Sequence, residues 1–195
     1  MIRPYASVRE SIVDGTVLLF RKSGRVAGLI RWATRSTYSH AALAIWIRGR
    51  LMVAESRELR GCRLVPLSSV LAGASVARFV PAPHARPDPD ALVGAALARL
   101  GQPYGWGSIL RIALSKLPTS LLRRIPVVGR WIPGGPQWSD DDQSPSGPRM
   151  ICSQYVAHCY RAAGVDLVPR LSDRDTTPGD LSRSMGLMFA GWVEG

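Results

Sequence analysis

The stretch "YSHAALAIWIRGRLMVAES" (residues 38–56) decides the fold. Two apolar runs of strand length, "HAALAIW" and "LMVAES", flank a short polar connection with Gly49 at its tip, which is the pattern of a β-hairpin. With the turn at Arg48-Gly49, Ile47 pairs with Arg50, and counting outward Ala42 lies opposite Glu55. His40 is then one diagonal step from Glu55 on the same face. A carboxylate in that place can accept from one imidazole nitrogen and leave the other for a nucleophile. Taken singly, a histidine opening a strand is more often structural and a glutamate there reads as a surface residue. Their shared register makes the pair a candidate.

Working outward, "DGTVLLF" (residues 14–20) reads as a buried strand opened by an Asp-Gly turn. In "SGRVAGLIRWATRS", Val26, Leu29, Ile30 and Ala33 recur at helical spacing and predict a short amphipathic helix. "CRLVPLS" and "SVARFVP" read as further strands. Pro66 marks the first of them as an edge strand or as its end. After the linker "PAPHARPDPD" the period changes. "DALVGAALARLG" is a helix with Asp88 as N-cap, Pro89 at its first position and Gly101 closing it. "GSILRIALSKL" (residues 107–117) predicts another. Residues 118–148 are proline-broken, first apolar and basic and then polar, and read as a flexible or lid-like insertion. Regular structure resumes with a helix at "CSQYVAHCYRAAG". A helix and strands first and helices afterwards make an α+β chain with a mainly antiparallel sheet, read as one domain over residues 1–195.

That last helix carries two of the three cysteines. Cys152, Val156, Cys159, Tyr160 and Ala163 share one face, which is the core face. Cys152 and Cys159 stand roughly 10.5 Å apart along the axis. A disulfide needs Cα atoms within about 7 Å, so these two cannot pair with each other. Their spacing is not that of a zinc site either. They differ in one respect: Cys152 falls in the first turn, where unpaired N–H groups and the helix dipole stabilise an anion, whereas Cys159 is mid-helix. Cys152 is therefore the candidate nucleophile and Cys159 a core residue. His84 sits in the proline-rich linker and His158 on an outward helix face, so neither competes with His40 as its base.

The 195 residues include 25 Lys and Arg against 14 Asp and Glu, for a net charge of +11. The basic residues are almost all arginine and are scattered. No basic block interleaves with aromatics, so specific nucleic-acid readout is not expected. A general attraction to an anionic surface, membrane or envelope polymer, is. Three cysteines without framework spacing suit reduced thiols. No signal peptide or membrane-spanning run is legible, so the expected location is the cytoplasm as synthesised, with delivery to the envelope or inclusion in a larger particle as later routes. The sequence calls for no metal and no cofactor.

Taken in order, "DGTVLLFR", "YSHAALAIW", "LMVAES", "GQPYGW", "ICSQYVAHCY" and "TTPGDL" resemble the permuted NlpC-type (YiiX-like) papain-fold cysteine peptidases and amidases. The resemblance covers most of the chain outside residues 118–148. It implies a circularly permuted papain-like fold in which histidine, then a polar third residue, then cysteine follow along the chain. That order maps onto His40, Glu55 and Cys152. It implies a hydrolase that cleaves an amide, most often of a cell-wall peptide, or an ester through an acyl-thioester, with the oxyanion held by the Cys152 N–H and a neighbour such as the Ser153 N–H. Tyr104 is implied as a pocket wall, and Ser39 and Ser153 as further substrate-binding residues. Trp46 and Trp106 read as core packing. The related lecithin:retinol acyltransferase-like proteins imply an alternative, acyl transfer on lipid-linked substrates, which the basic, apolar "LLRRIPVVGRW" would serve by docking on an anionic bilayer. A third expectation is a catalytically idle binding or structural module on the same fold.

Overall fold

The computed structural model describes residues 2–21, 24–34, 36–72, 74–105 and 149–195. The helix expected at residues 107–117, the insertion at 118–148 and Trp106 lie outside them. Seven strands form one sheet: β1 (Ile2–Pro4), β2 (Val17–Arg21), β3 (His40–Ile47), β4 (Arg50–Arg57), β5 (Gly61–Pro66), β6 (Ser75–Pro81) and β7 (Leu187–Glu194). Their spatial order is β1-β7-β6-β2-β3-β4-β5. All pairs are antiparallel except β1 with β7. The described helices are α1 (Tyr5–Val8), α2 (Arg25–Thr34), α3 (Ser68–Leu71), α4 (Pro89–Ala98), α5 (Cys152–Ala162) and α6 (Pro178–Ser182). This is the expected α+β class with a mainly antiparallel sheet. No helix of the described residues is long and apolar enough to cross a membrane.

The run "VLLF" is apolar without alternation because β2 lies mid-sheet and both its faces are covered. Val17 and Leu19 join Leu43, Ile45, Phe79 and the α4–α5 side chains Leu92, Ala96, Tyr155, Val156, Cys159 and Tyr160 in one cluster. Leu18 and Phe20 join Ala42, Ala44, Val53, Leu67, Leu71 and the N-terminal Val8 and Ile12 in another. Each fully buried Leu or Phe contributes roughly 1.5–3 kcal/mol. Two tyrosines pin α5 from its buried face: Tyr155 Oη donates to Ala96 O of α4 at 2.8 Å, and Tyr160 Oη donates to Gly15 O at the start of β2. Gly15 has φ +84°, as the Asp-Gly turn requires.

Helix α4 begins as its sequence dictates, with the Asp88 side chain accepting from Ala91 N at 2.9 Å and Pro89 in the first turn. It ends at Ala98, with Gly101 at φ +83° beyond it. Strand β5 lies at the sheet edge and stops at Pro66, satisfying both readings of that proline. The chain closes differently from the expectation of helices last. Its final residues form β7, which inserts between β6 and β1, and a register shift against Arg78/Phe79 marks a bulge there.

The hairpin has the expected register, from Ile47↔Arg50 to Leu43↔Ala54. Its turn places both Arg48 (φ 50°) and Gly49 (φ 74°) in the left-handed region. A two-residue turn of this kind favours Asn-Gly, and an arginine pays a backbone cost there without any packing return, since Arg48 is exposed. Arg48→Asn is therefore expected to stabilise the protein by about 0.5–1 kcal/mol in urea unfolding at unchanged m-value, whereas Gly49→Val destabilises it.

Candidate active site

Strand β3 opens with His40, whose backbone lies opposite Phe20 of β2. The Phe20 and His40 rings meet at 5.4 Å, and Ser39 N donates to Phe20 O at 2.9 Å just ahead of it. The β3–β4 ladder ends at Leu43↔Ala54, so His40 and Glu55 lie just past its last rung. There His40 Nε2 and Glu55 Oε2 are 2.5 Å apart, with Glu55 fully buried. Arg63 stands opposite Glu55 on β5 and donates to its other oxygen, from Nε at 2.8 Å and Nη2 at 2.5 Å. Arg57 Nη1 is 3.8 Å from the same oxygen.

These contacts set the charges. Burial would raise the Glu55 carboxyl, but the hydrogen bonds and charges of His40 and Arg63 outweigh it and hold the group at about 2. Burial would likewise lower His40. Interactions with Cys152 and with the Glu55 carboxylate reverse that effect and raise the imidazole to about 9. With Nε2 on Glu55, Nδ1 has no hydrogen-bond partner among the described residues and is the nitrogen left to serve the thiol.

Cys152 is the first residue of α5, and three buried polar side chains fix its approach. Ser56 Oγ of β4 donates to Met150 O at 2.7 Å. Gln154 Oε1 accepts from Ile151 N at 3.0 Å, while its Nε2 donates to Arg174 O. Ser153 Oγ donates to Thr176 O at 2.6 Å. Tyr104 forms a parallel bridge with Met150, and Gly105 N donates to Met150 O at 3.2 Å. A Cβ on Gly105 would come within 2.8 Å of Arg149 O, so only glycine allows this approach. Tyr104 is thereby brought to the thiol. Burial first, and then the charge of Cys152, push its phenol far up, so it stays a proton donor. Cys152 itself is 1% exposed, so its thiol lies beneath the surface.

The structure thus brings His40, Glu55, Cys152 and Tyr104 together. Ser39 and Ser153 flank the site, but their side chains are tied into the fold: Ser39 Oγ donates to Phe20 O at 3.3 Å and Ser153 Oγ to Thr176 O. The Ser153 backbone N–H lies in the first turn of α5. Cys159 is in the core, where burial and the neighbouring Cys62 push it up to about 12. His84 is exposed, whereas His158 is half-buried with Arg99 Nε at 3.3 Å from its Nε2, not turned outward. Arg63, Ser56 and Gln154 escaped sequence reasoning. The register that pairs Glu55 with Arg63 was the signal available for the first.

The buried carboxylate links stability to pH. A carboxyl lowered from 4.5 to about 2 contributes its full stabilisation above pH 4.5 and loses it as the pH falls towards 2. Near neutrality the native protein is expected to exceed Glu55→Gln in unfolding free energy by about 3 kcal/mol. In denaturant titrations across this range the gap narrows steadily below pH 4.5.

No protein family matches the chain by sequence, and no curated protein does. Among solved structures the chain is similar to the metalloprotein YiiX (DUF1105) from Escherichia coli O157:H7, with a TM-score of 0.62 and 16% identity over 93% of this chain and 98% of that one. The fold is therefore YiiX-like.

Proposed function

We propose that the chain is a cysteine hydrolase that cleaves an amide or ester bond through Cys152, His40 and Glu55, on a circularly permuted papain-like (NlpC-type) domain. The observation that carries this reading is the imidazole held by Glu55 through Nε2 with Nδ1 left for a thiol at a helix N-terminus. His40 holds the Cys152 proton as its imidazolium, and the Sγ thiolate attacks the carbonyl carbon. The oxyanion meets first-turn N–H groups of α5 and the Tyr104 hydroxyl. The imidazolium then protonates the leaving amine or alcohol, and water, deprotonated by His40, releases the acid from the thioester. A cell-wall peptide amide is the first substrate class to test. Acyl transfer to a lipid or amine needs only a different acceptor at the thioester stage, but its sequence support falls in residues 118–148. An idle module gives no reason to bury a charged Arg63–Glu55–His40 series at the tip of a cysteine helix, since breaking such a set is costly and apolar replacement is not.

The neighbouring structure is described as a metalloprotein. The donor set here does not fit a resident metal. No group of three or more His, Cys, Asp and Glu gathers among the described residues. The second oxygen of Glu55 faces the Arg63 guanidinium, whose charge opposes a divalent cation.

Against a panel of peptide amides and acyl esters, Cys152→Ala and His40→Ala are each expected to lower kcat/KM by about ten-thousandfold. Full activity in Cys152→Ala would end this reading. Iodoacetamide should label Cys152 ahead of Cys62 and Cys159, and His40→Ala should slow that labelling, as mass spectrometry of the tryptic peptides would read. The pH profile gives a separate check. The leaving group needs the imidazolium, so kcat/KM falls as the pH rises through about 9. Because Glu55 helps hold that proton, Glu55→Gln moves the alkaline limb to lower pH.

A further inference from the structure

Helices α4 and α5 cover the β2–β3–β4 part of one sheet face, and beyond them that face is paved with rings. The Tyr38 and Trp192 rings stack at 6.2 Å and 27°. Tyr38 meets Phe79 edge-on, Phe79 meets Phe189 at 5.5 Å, and Phe189 meets Trp192 at 6.0 Å. The bulge in β7 makes this continuous. Register sets Phe189 opposite Phe79 and Trp192 opposite Ala77, so the extra residue between them turns both rings to the same face. Ile2 pairs with Trp192 and extends the patch to the outer strand.

Arg21 lies over this surface, its guanidinium carbon 4.6 Å from the Trp192 ring and 5.6 Å from the Tyr38 ring. No carboxylate pairs with it among the described residues, so its donors are open to an anion. Phe189 is 53% and Ile2 52% exposed. The patch adjoins the candidate site, because Tyr38 precedes His40 by two residues.

We propose that this corner docks on an anionic phospholipid surface, with Phe189 and Ile2 entering the headgroup–acyl boundary and Arg21 pairing with phosphate. Three features select that occupant. The ring faces are used on one another and on the guanidinium, which leaves apolar edges rather than a free platform for stacking a sugar. Trp and Tyr favour the membrane interface, and an arginine among them adds attraction to negative headgroups. The net charge of +11 attracts the chain to such a surface from a distance. Docking does not depend on the hydrolase reading. Where both hold, it sets the His40 end of the site against lipid.

The test is co-sedimentation of the full chain with vesicles of phosphatidylcholine alone and with phosphatidylglycerol added. Binding is expected to the mixed vesicles, with Phe189→Ser weakening it by about tenfold and Arg21→Gln by about fivefold. Arg48→Gln, at the exposed hairpin tip, controls for bulk charge and should change it by less than about twofold. Thermal melts verify that the variants fold, and Ile2→Ser replaces Phe189→Ser if that one does not. Equal losses in all arginine variants with none in Phe189→Ser would overturn the proposal in favour of bulk charge attraction. Failure to bind mixed vesicles would overturn it outright. So would concentration-dependent self-association that Phe189→Ser abolishes, since the patch would then be an interface between copies. These outcomes leave activity on soluble substrates untouched, so failure here is distinct from failure of the hydrolase reading.

Discussion

A carboxylate inside a sheet has to be answered by positive charge, and Glu55 is answered twice. One oxygen meets His40 across the end of the β3–β4 ladder and the other meets Arg63 across the β4–β5 ladder. An isolated carboxylate so buried would protonate, and the neutral acid could neither hold an imidazolium nor fix its orientation. The three neighbouring strands must therefore keep their mutual register for the charge to be tolerable at all. A one-residue slip in either ladder would turn Glu55 away from the partner across it. Burial also sharpens the interaction, because the low dielectric that penalises a lone charge strengthens a paired one.

The thiol depends on a second set of constraints, all polar and all inside. The chain enters α5 through Met150 and Ile151. Ser56 grips the first of these from the sheet and Gln154 grips the second from the helix itself. The two arms of the site thus share β4, where Glu55 and Ser56 are adjacent: one residue holds the His40 imidazole and the next anchors the chain leading to Cys152.

Much of this was legible beforehand where local chemistry decides. The Asp-Gly turn, the Asp88-Pro89 cap and the glycine of the β3–β4 turn each follow from residues that tolerate few alternatives, and the hairpin alone placed His40 beside Glu55. What stayed hidden is non-local. Strand β7 reads poorly as a strand because its bulge breaks the two-residue alternation, which shifts Trp192 onto the face of Phe189. Arg63 could not be matched to Glu55 without the pairing of β5, and Gln154 looked like an ordinary polar residue on a helix. Sequence shows the hydroxyls of Ser39 and Ser153 but not the carbonyls they meet, Phe20 O and Thr176 O.

The contact between Tyr104-Gly105 and Arg149-Met150 has a topological consequence. The chain departs from the site at Gly105 and rejoins it at Arg149, two points clasped by the bridge and by the Gly105 N–H. Whatever runs between them begins and ends at the same spot, so its length is decoupled from the register of the sheet and from the seat of α5. This junction is therefore a permissive one, where sequence can be gained, lost or exchanged while Tyr104 and Cys152 keep their places.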